Sequence, residues 1–351
     1  MKLANLSLLI MIMTSVMISC SKPVETTIDE AIQNEAETLL SEELTNCQAD
    51  SGLIIVMSVK TGEIKSQLQL VKDFNVGEFV RAKESYIKIK GEPGPVLIPL
   101  TVLAGLEEVA VEMDFQLDAG KGMYILNGRT IYDQEVFDKG GYGIISLADC
   151  IKNPSFIGAV QFLELAFSGE VDMFENRMQM MSFGLPADSN VFRGVPPFSS
   201  KLNAFTLGSY CKTTPLQLLT AYNAIANNGK VVAPTEIPGD TVLINPNMCT
   251  EKNLKAIQLV LKENGAKLLP ETPGIAAMKG FSSAKNTYRR EIKLSVCGYY
   301  PAENPEYSCL IVIFRSESPD IDPVLGVTKV NQSGLNVYGK MAKLMMTPKT
   351  E

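Results

Sequence analysis

The stretch from Thr213 to Pro234, TTPLQLLTAYNAIANNGKVVAP, leaves its backbone little choice. Thr214 can cap a helix with its hydroxyl, and Pro215 suits the first helical position, where its missing N–H costs nothing. An apolar run follows, Gly229 closes the helix, and Val231-Val232 then reads as a short strand before Pro234. A helix capped at both ends that hands directly to a strand specifies architecture. It carries no chemistry of its own.

The rest of the chain narrows the classes of function. At 351 residues, 46% hydrophobic and 20% charged, it can form one large domain or two small ones with an ordinary core. A net charge of -7 without clustered Lys and Arg excludes nucleic acid as the main partner. There is no histidine, which removes Ser-His-Asp and Cys-His catalysis and imidazole metal ligation together. Seven cysteines (20, 47, 150, 211, 249, 297, 309) form no CxxC pair, so neither a metal site nor any cofactor is expected. Cys20 stands apart, and we read the others as mostly buried thiols, with disulfides as the alternative.

Lys2, the apolar run Leu8 to Ile18 and then Ser19-Cys20 read as residues 1–20 of a lipoprotein-type signal, with Cys20 as the lipidated residue. The alternative is an uncleaved anchor helix, short for a bilayer span. Both place residues 21–351 on the periplasmic side of a membrane, tethered at the cell envelope. Residues 21–50 are an acidic tether followed by an amphipathic helix over about 28–45. Thr27-x-x-Glu30 is its capping box and Ile28, Ile32, Ala36, Leu39 and Leu40 are its apolar stripe, expected to pack on the domain.

From Ser51 onward the patterns alternate between strand and helix. Ser51 to Val59 and Ile64 to Leu70 form a hairpin around Lys60-Thr61-Gly62-Glu63. In Gly91 to Leu106, GEPGPVLIPLTVLAGL, Pro95 fits a first helical position ahead of the buried stripe Val96, Leu100, Leu103, Leu106 and Val109. Residues 157–185 are helical by pattern, stopping at Phe183-Gly184-Leu185-Pro186, with the methionines at 173, 178 and 181 read as core. Asp188 to Lys201 is a loop and Glu251 to Gly265 a helix. Leu294 to Tyr300 pairs with Ser308 to Phe314 across Pro301 to Glu306, with Cys297 and Cys309 on the paired strands. Ser333 to Met346 closes the chain as an amphipathic helix.

These segments resemble the penicillin-binding protein transpeptidase family over about residues 50–347. The nearest type is the division-type, monofunctional class, without sequence corresponding to its large amino-terminal pedestal. The Thr213 to Pro234 stretch is similar to that family's Thr-Pro-Leu-Gln helix and Ala-Asn-x-Gly-Lys turn. The Asn127-Gly128-Arg129 turn, the Gly140 to Ile151 segment and the Tyr299 to Pro305 hairpin also resemble it. The resemblance implies an α+β (α/β) fold like that of penicillin-binding proteins and serine β-lactamases. In it a mainly antiparallel central sheet is covered by the N- and C-terminal helices, with an all-helical subdomain at about 95–230 inside a domain spanning 51–347.

The same resemblance exposes what is missing. The family writes Glu-Pro-Gly-Ser-x-x-Lys-Pro, and here the nucleophile and base positions hold Pro95 and Ile98. Its Ser-x-Asn motif falls on Pro154-Ser155-Phe156, and its Lys-Thr-Gly-Thr strand on Met278-Lys279-Gly280-Phe281. A one-residue slip would make Lys279 the motif lysine and would also exchange the faces of the strand. Lys60-Thr61-Gly62 spells the third motif but sits in a hairpin turn, and we reject it as catalytic. Acyl transfer needs an activated nucleophile and an oxyanion hole, and losing a nucleophile alone costs on the order of 10⁶ in turnover.

The expected protein is therefore a degenerate transpeptidase-like chain that binds or scaffolds. Its expected partners are a peptidoglycan stem peptide or proteins of cell-wall synthesis and division, besides the membrane at its N-terminus. The alternatives are an active D,D-transpeptidase or carboxypeptidase using Ser282-x-x-Lys285, and a structural surface lipoprotein.

Overall fold

The computed structural model describes residues 25–83, 87, 91–126, 129–133, 136–168, 170–182, 213–285, 289–317 and 323–347. Helix α1 (Glu30–Asn46) leads into β1 (Ser51–Ser58), β2 (Ile64–Lys72) and β3 (Phe79–Arg81). Strands β10 (Ala276–Lys285), β11 (Arg290–Tyr300) and β12 (Tyr307–Glu317) come from the far end of the chain, followed by α8 (Pro323–Met346). These six strands form one antiparallel sheet in the order β10-β11-β12-β1-β2-β3, so the first and last thirds of the chain meet at the β1–β12 pair.

β1 reads as a near-continuous apolar run because both of its faces are covered. Leu53, Ile55 and Met57 enter one core, Ile54 and Val56 the other. The outer face carries α1 and α8. The inner face carries α6 (Pro215–Ala226) and a helical layer. That layer holds α2 (Ile98–Leu106), α3 (Leu147–Lys152), α4 (Phe156–Phe167), α5 (Val171–Met180) and α7 (Glu251–Leu268). Three two-stranded ribbons complete it: β4 (Gln116–Asp118) with β7 (Ile144–Ser146), β5 (Met123–Leu126) with β6 (Arg129–Tyr132), and β8 (Val231–Val232) with β9 (Leu243–Asn245).

α6 is held as its sequence suggests and by one further device. Thr214 accepts from the Gln217 N–H while the Gln217 side chain accepts from the Thr214 N–H, a reciprocal cap. From its middle, Asn223 donates to the Val59 carbonyl at 3.0 Å and accepts from the Ser308 hydroxyl at 2.8 Å. Val59 directly follows β1 and Ser308 lies on β12, so the helix is bolted across the β1–β12 pair.

Several local readings need correcting. Thr27 does not cap α1; Asp29 does, accepting from the Ala31 and Ile32 N–H groups. The Thr27 hydroxyl instead donates to the Ile64 carbonyl at 2.7 Å, a partner distant in sequence. The stripe Ile32, Ala36, Leu39 and Leu40 does pack on the sheet. The helical run from 157 is two helices, broken where Ser168 turns left-handed at φ 48°. The stop at 183–186 and the loop at 188–201 lie outside the described residues. α8 begins at Pro323, well ahead of Ser333. Lys60-Thr61-Gly62 does occupy the β1–β2 turn, where Gly62 has φ +76° and a Cβ would lie 2.1 Å from the Ala233 carbonyl oxygen. Cys47, Cys150, Cys249, Cys297 and Cys309 are buried free thiols. Cys297 faces Leu310 and Cys309 faces Gly298, so the two sulfurs sit on opposite faces of the sheet.

Candidate functional site

Gly94 to Leu97 forms a 3₁₀ turn that runs into α2, with Gly94 at φ +73°. Pro95, Val96, Leu97 and Ile98 are all buried. The Val96 carbonyl accepts from the buried Tyr222 hydroxyl of α6 at 2.7 Å, which fixes the turn against the helix behind it. Pro95 offers neither a hydroxyl nor a backbone N–H, so this helix start supplies no nucleophile and no oxyanion donor from that residue. Ile98, one turn on, supplies no base.

β10, the edge strand, passes directly over this turn. A Cβ at Gly280 would lie 2.7 Å from the Val96 nitrogen and 3.2 Å from Pro95 Cβ, so only a glycine permits the approach. That contact sets the faces of the strand. Ala276 and Met278 belong to the inner core, whereas Ile275 and Ala277 belong to the outer one. Met278, Gly280 and Ser282 therefore share the inner face. Lys279 and Phe281 share the outer one, where Phe281 packs on the core beneath α8. Met278 is fully buried and its sulfur lies 3.8 Å from the Asn264 side-chain nitrogen. Lys279 is not brought to the turn that carries Pro95.

At the second motif position, Ser155 is buried as the N-cap of α4, accepting from the Gly158 N–H at 3.0 Å. Its hydroxyl donates to Asp133 Oδ2 at 2.6 Å, and Asp133 Oδ1 accepts from the Phe156 N–H at 2.8 Å. Burial pushes the Asp133 carboxyl above the usual carboxylate range, against the lowering effect of these donors. Ser155 is thus committed to the frame. Pro154 is half-buried at the turn before it, and Phe156 projects into the cleft.

The cleft has a volume of about 1100 Å³. Gly91 to Gly94, Phe156, the start of α6, and the inner faces of β10, β11 and β12 wall it. Across its sheet wall Ser282, Lys293 and Phe314 stand in register on three successive strands. Ser282 also adjoins the turn, its oxygen 3.8 Å from where a Gly94 Cβ would be. Lys285 lies on β10 as well, so Ser282-x-x-Lys285 is a strand segment and not the start of a helix. Lys293 is the cleft residue that motif reading missed. Its amine donates to the Glu92 carbonyl and stands 5.8 Å from the Phe314 ring centroid. Burial pulls it down to about 8, with Glu92 favouring the charged form.

Residues 52–269 match the penicillin binding protein transpeptidase domain model. The chain belongs to this family. The match ends before β10, so Met278 to Phe281 lie beyond it. The chain is 22% identical over 318 residues to the peptidoglycan D,D-transpeptidase FtsI of Buchnera aphidicola, covering 81% of this chain and 52% of that one. It is 20% identical to penicillin-binding protein H of Bacillus subtilis, covering 90% of this chain and 51% of that one. It therefore spans about half the length of the curated relatives it matches. Among solved structures, the transpeptidase domain of penicillin-binding protein 3 from Burkholderia pseudomallei superposes with a TM-score of 0.72 at 18% identity, covering 94% of this chain and 99% of that one. Penicillin-binding protein 2B of Streptococcus pneumoniae gives 0.71 at 17% identity, with 93% and 60% covered. At these identities the structural likeness is one of fold. Among the described residues no cluster could hold a metal ion, and no helix is long and apolar enough to cross a membrane.

Proposed function

We propose that this transpeptidase homologue binds or scaffolds during peptidoglycan synthesis or division at the cell envelope, without acyl transfer at the family's nucleophile position. The observation that carries this reading is Pro95, buried at the start of the helix with the apolar Ile98 one turn on. Pro154, Phe156, Met278 and Phe281 support it, because none of them can shuttle a proton or donate from its side chain to a substrate amide. The intact frame supports retained binding: Gly280 still closes on the turn and the cleft is walled on both sides. Lipid attachment at Cys20 would hold the domain on the periplasmic side of a membrane.

Incubation with a fluorescent β-lactam followed by intact mass is the test. The expected result is no covalent adduct, and the same spectrum reads a diacylglyceryl mass increment that Cys20→Ala abolishes. A stoichiometric adduct overturns the reading. The position of Ser282 beside Gly94 and opposite Lys293 favours one other reading, acylation at Ser282. That would appear as an adduct lost in Ser282→Ala.

A further inference from the structure

Ile237, Val242 and Leu243 are 61%, 49% and 53% exposed, three large apolar side chains close together on the segment that joins β8 to β9 and opens β9. Single exposed apolar residues need no explanation, but a cluster does. The loop that carries them is fastened to the domain. Ile237 to Asp240 closes a tight turn, the Asp240 N–H donating to the Ile237 carbonyl at 3.2 Å with Gly239 at φ +75°. The Gly239 N–H donates to the Glu63 carboxylate at 3.2 Å. Just upstream, the Thr235 N–H donates to the Gly62 carbonyl and the Thr235 carbonyl accepts from the Ile64 N–H, so the loop is tied to the turn between β1 and β2. A turn held this firmly keeps its apolar side chains in water with no gain to the fold itself.

The N-terminal segment joins the domain at the same place. The Thr27 N–H donates to the carbonyl of Glu236, the residue before Ile237, at 3.1 Å, and the Thr27 hydroxyl lies 3.2 Å from the Thr235 carbonyl. Cys20 is seven positions earlier in the sequence, and a chain of that length reaches at most about 25 Å. A membrane that holds Cys20 is therefore within one short span of this loop. The cleft lies at the other end of the sheet. Asp50 and Ser51 line it, whereas the turn that holds the loop follows Ser58, about 25 Å away along the eight residues of β1. The loop's own charged side chains, Glu236 and Asp240, are acidic, so anionic headgroups are not what attracts it.

We propose that Ile237, Val242 and Leu243 are a second membrane contact, entering the interface of a neutral bilayer beside the N-terminal attachment. The attachment supplies proximity, so three half-exposed side chains suffice where a free domain would not stay bound. Docking at this end of the sheet turns the cleft away from the bilayer. This contact rests on the proposed membrane attachment at Cys20.

The chain contains no tryptophan, so an introduced one is an unambiguous probe. The full chain, expressed with its N-terminal segment, is reconstituted on phosphatidylcholine vesicles whose acyl chains are brominated near the headgroup. Flotation reads attachment and fluorescence quenching reads contact. The control is Phe74→Trp, since Phe74 is 79% exposed and lines the cleft. The fluorescence of Ile237→Trp should be quenched at least about threefold more than that of Phe74→Trp, the scale set by burying a few half-exposed apolar side chains. Val242→Trp should be quenched likewise, and adding Ile237→Asp to it should lower that quenching by about threefold or more. Equal quenching of Ile237→Trp and Phe74→Trp, or no effect of Ile237→Asp, overturns the contact. A blue-shifted emission from Ile237→Trp that bromine leaves unchanged shows a protein covering the loop and overturns it too. Flotation without quenching of Ile237→Trp removes the contact and leaves the attachment, whereas a chain that does not float removes both.

Discussion

Lys293 stands where a methionine or leucine would fit the wall of the cleft, and the protein bears a cost for keeping it charged. The amine's value of about 8 lies below the ordinary lysine value of about 10.4. Below pH 8 the group is protonated in both the folded and unfolded chain, so the full penalty of the buried charge is present. Between about 8 and 10.4 the folded state gives up its proton first, the unfolded state binds more protons, and stability rises with pH. Lys293→Met should therefore stabilise the chain by ~1–2 kcal/mol at pH 7, since each tenfold loss of proton affinity on folding corresponds to about 1.4 kcal/mol before relaxation and solvent screening reduce it. Thermal melts at pH 7 and pH 10 check this: the gap between the two proteins should narrow at the higher pH. A methionine variant less stable at pH 7 would show that the ammonium holds the cleft together instead. Ser155 makes the opposite case at the second motif. It looks like a surviving polar motif residue, yet its hydroxyl is spent on Asp133 and on the first turn of α4. A serine in a motif frame is informative only once its partner is known.

The turn from Gly94 to Leu97 and the strand β10 are joined by an absence of side chain. Gly280→Ala would place a methyl group 2.7 Å from the Val96 nitrogen, a backbone atom that cannot swing aside. Either β10 leaves the turn or the turn leaves α2, and overpacking of this kind costs ~1–3 kcal/mol. A lowered denaturant midpoint is the expected result. An unchanged midpoint would mean that the strand edge is free to move, and that the faces assigned to Met278 and Lys279 are not fixed by this contact. These two elements also show what was legible beforehand. The hairpin of β1 and β2, the caps of α6 and the last turns of the closing helix announce themselves through local pattern, because their determinants lie within a few residues of each other. The face of Lys279 does not, since it depends on which residue of β10 meets a turn far away in sequence. Thr27 misleads for the same reason: the capping-box spacing is local, but its hydroxyl is claimed by the Ile64 carbonyl. Lys293 was readable in principle. In REIKLSVCGYY the inward positions are Lys293, Ser295, Cys297 and Tyr299, and the polar pair at one end marks where the core gives way to the cleft.

Two cores share one sheet, and the outer one is closed by helices from both ends of the chain. α1 contributes Ile32, Ala36, Leu39, Leu40 and Leu44 to it, against Ile54, Val56, Leu68 and Leu70 of the sheet and Val337 and Met341 of α8. Polar contacts add register: Gln33 donates to the Gln67 carbonyl and accepts from the Ser66 hydroxyl, and Asn336 donates to Glu43. A Cβ on Gly52 of β1 would come within 2.8 Å of Leu44, so helix and strand are in close contact along this face. Burial of one large apolar side chain is worth ~1.5–3 kcal/mol, so α1 contributes on the order of 10 kcal/mol gross, an upper bound. That is comparable with the ~5–15 kcal/mol by which a whole domain is stable. The acidic segment that looks like a tether is thus needed to close the outer face of the transpeptidase fold. A chain beginning at Ser51 should be insoluble or lack a cooperative thermal transition, which a melt beside the full chain checks. If the chain beginning at Ser51 melts cooperatively at the full-length midpoint, α1 is an ornament on the sheet. The outer core would then have to be held by α8 alone.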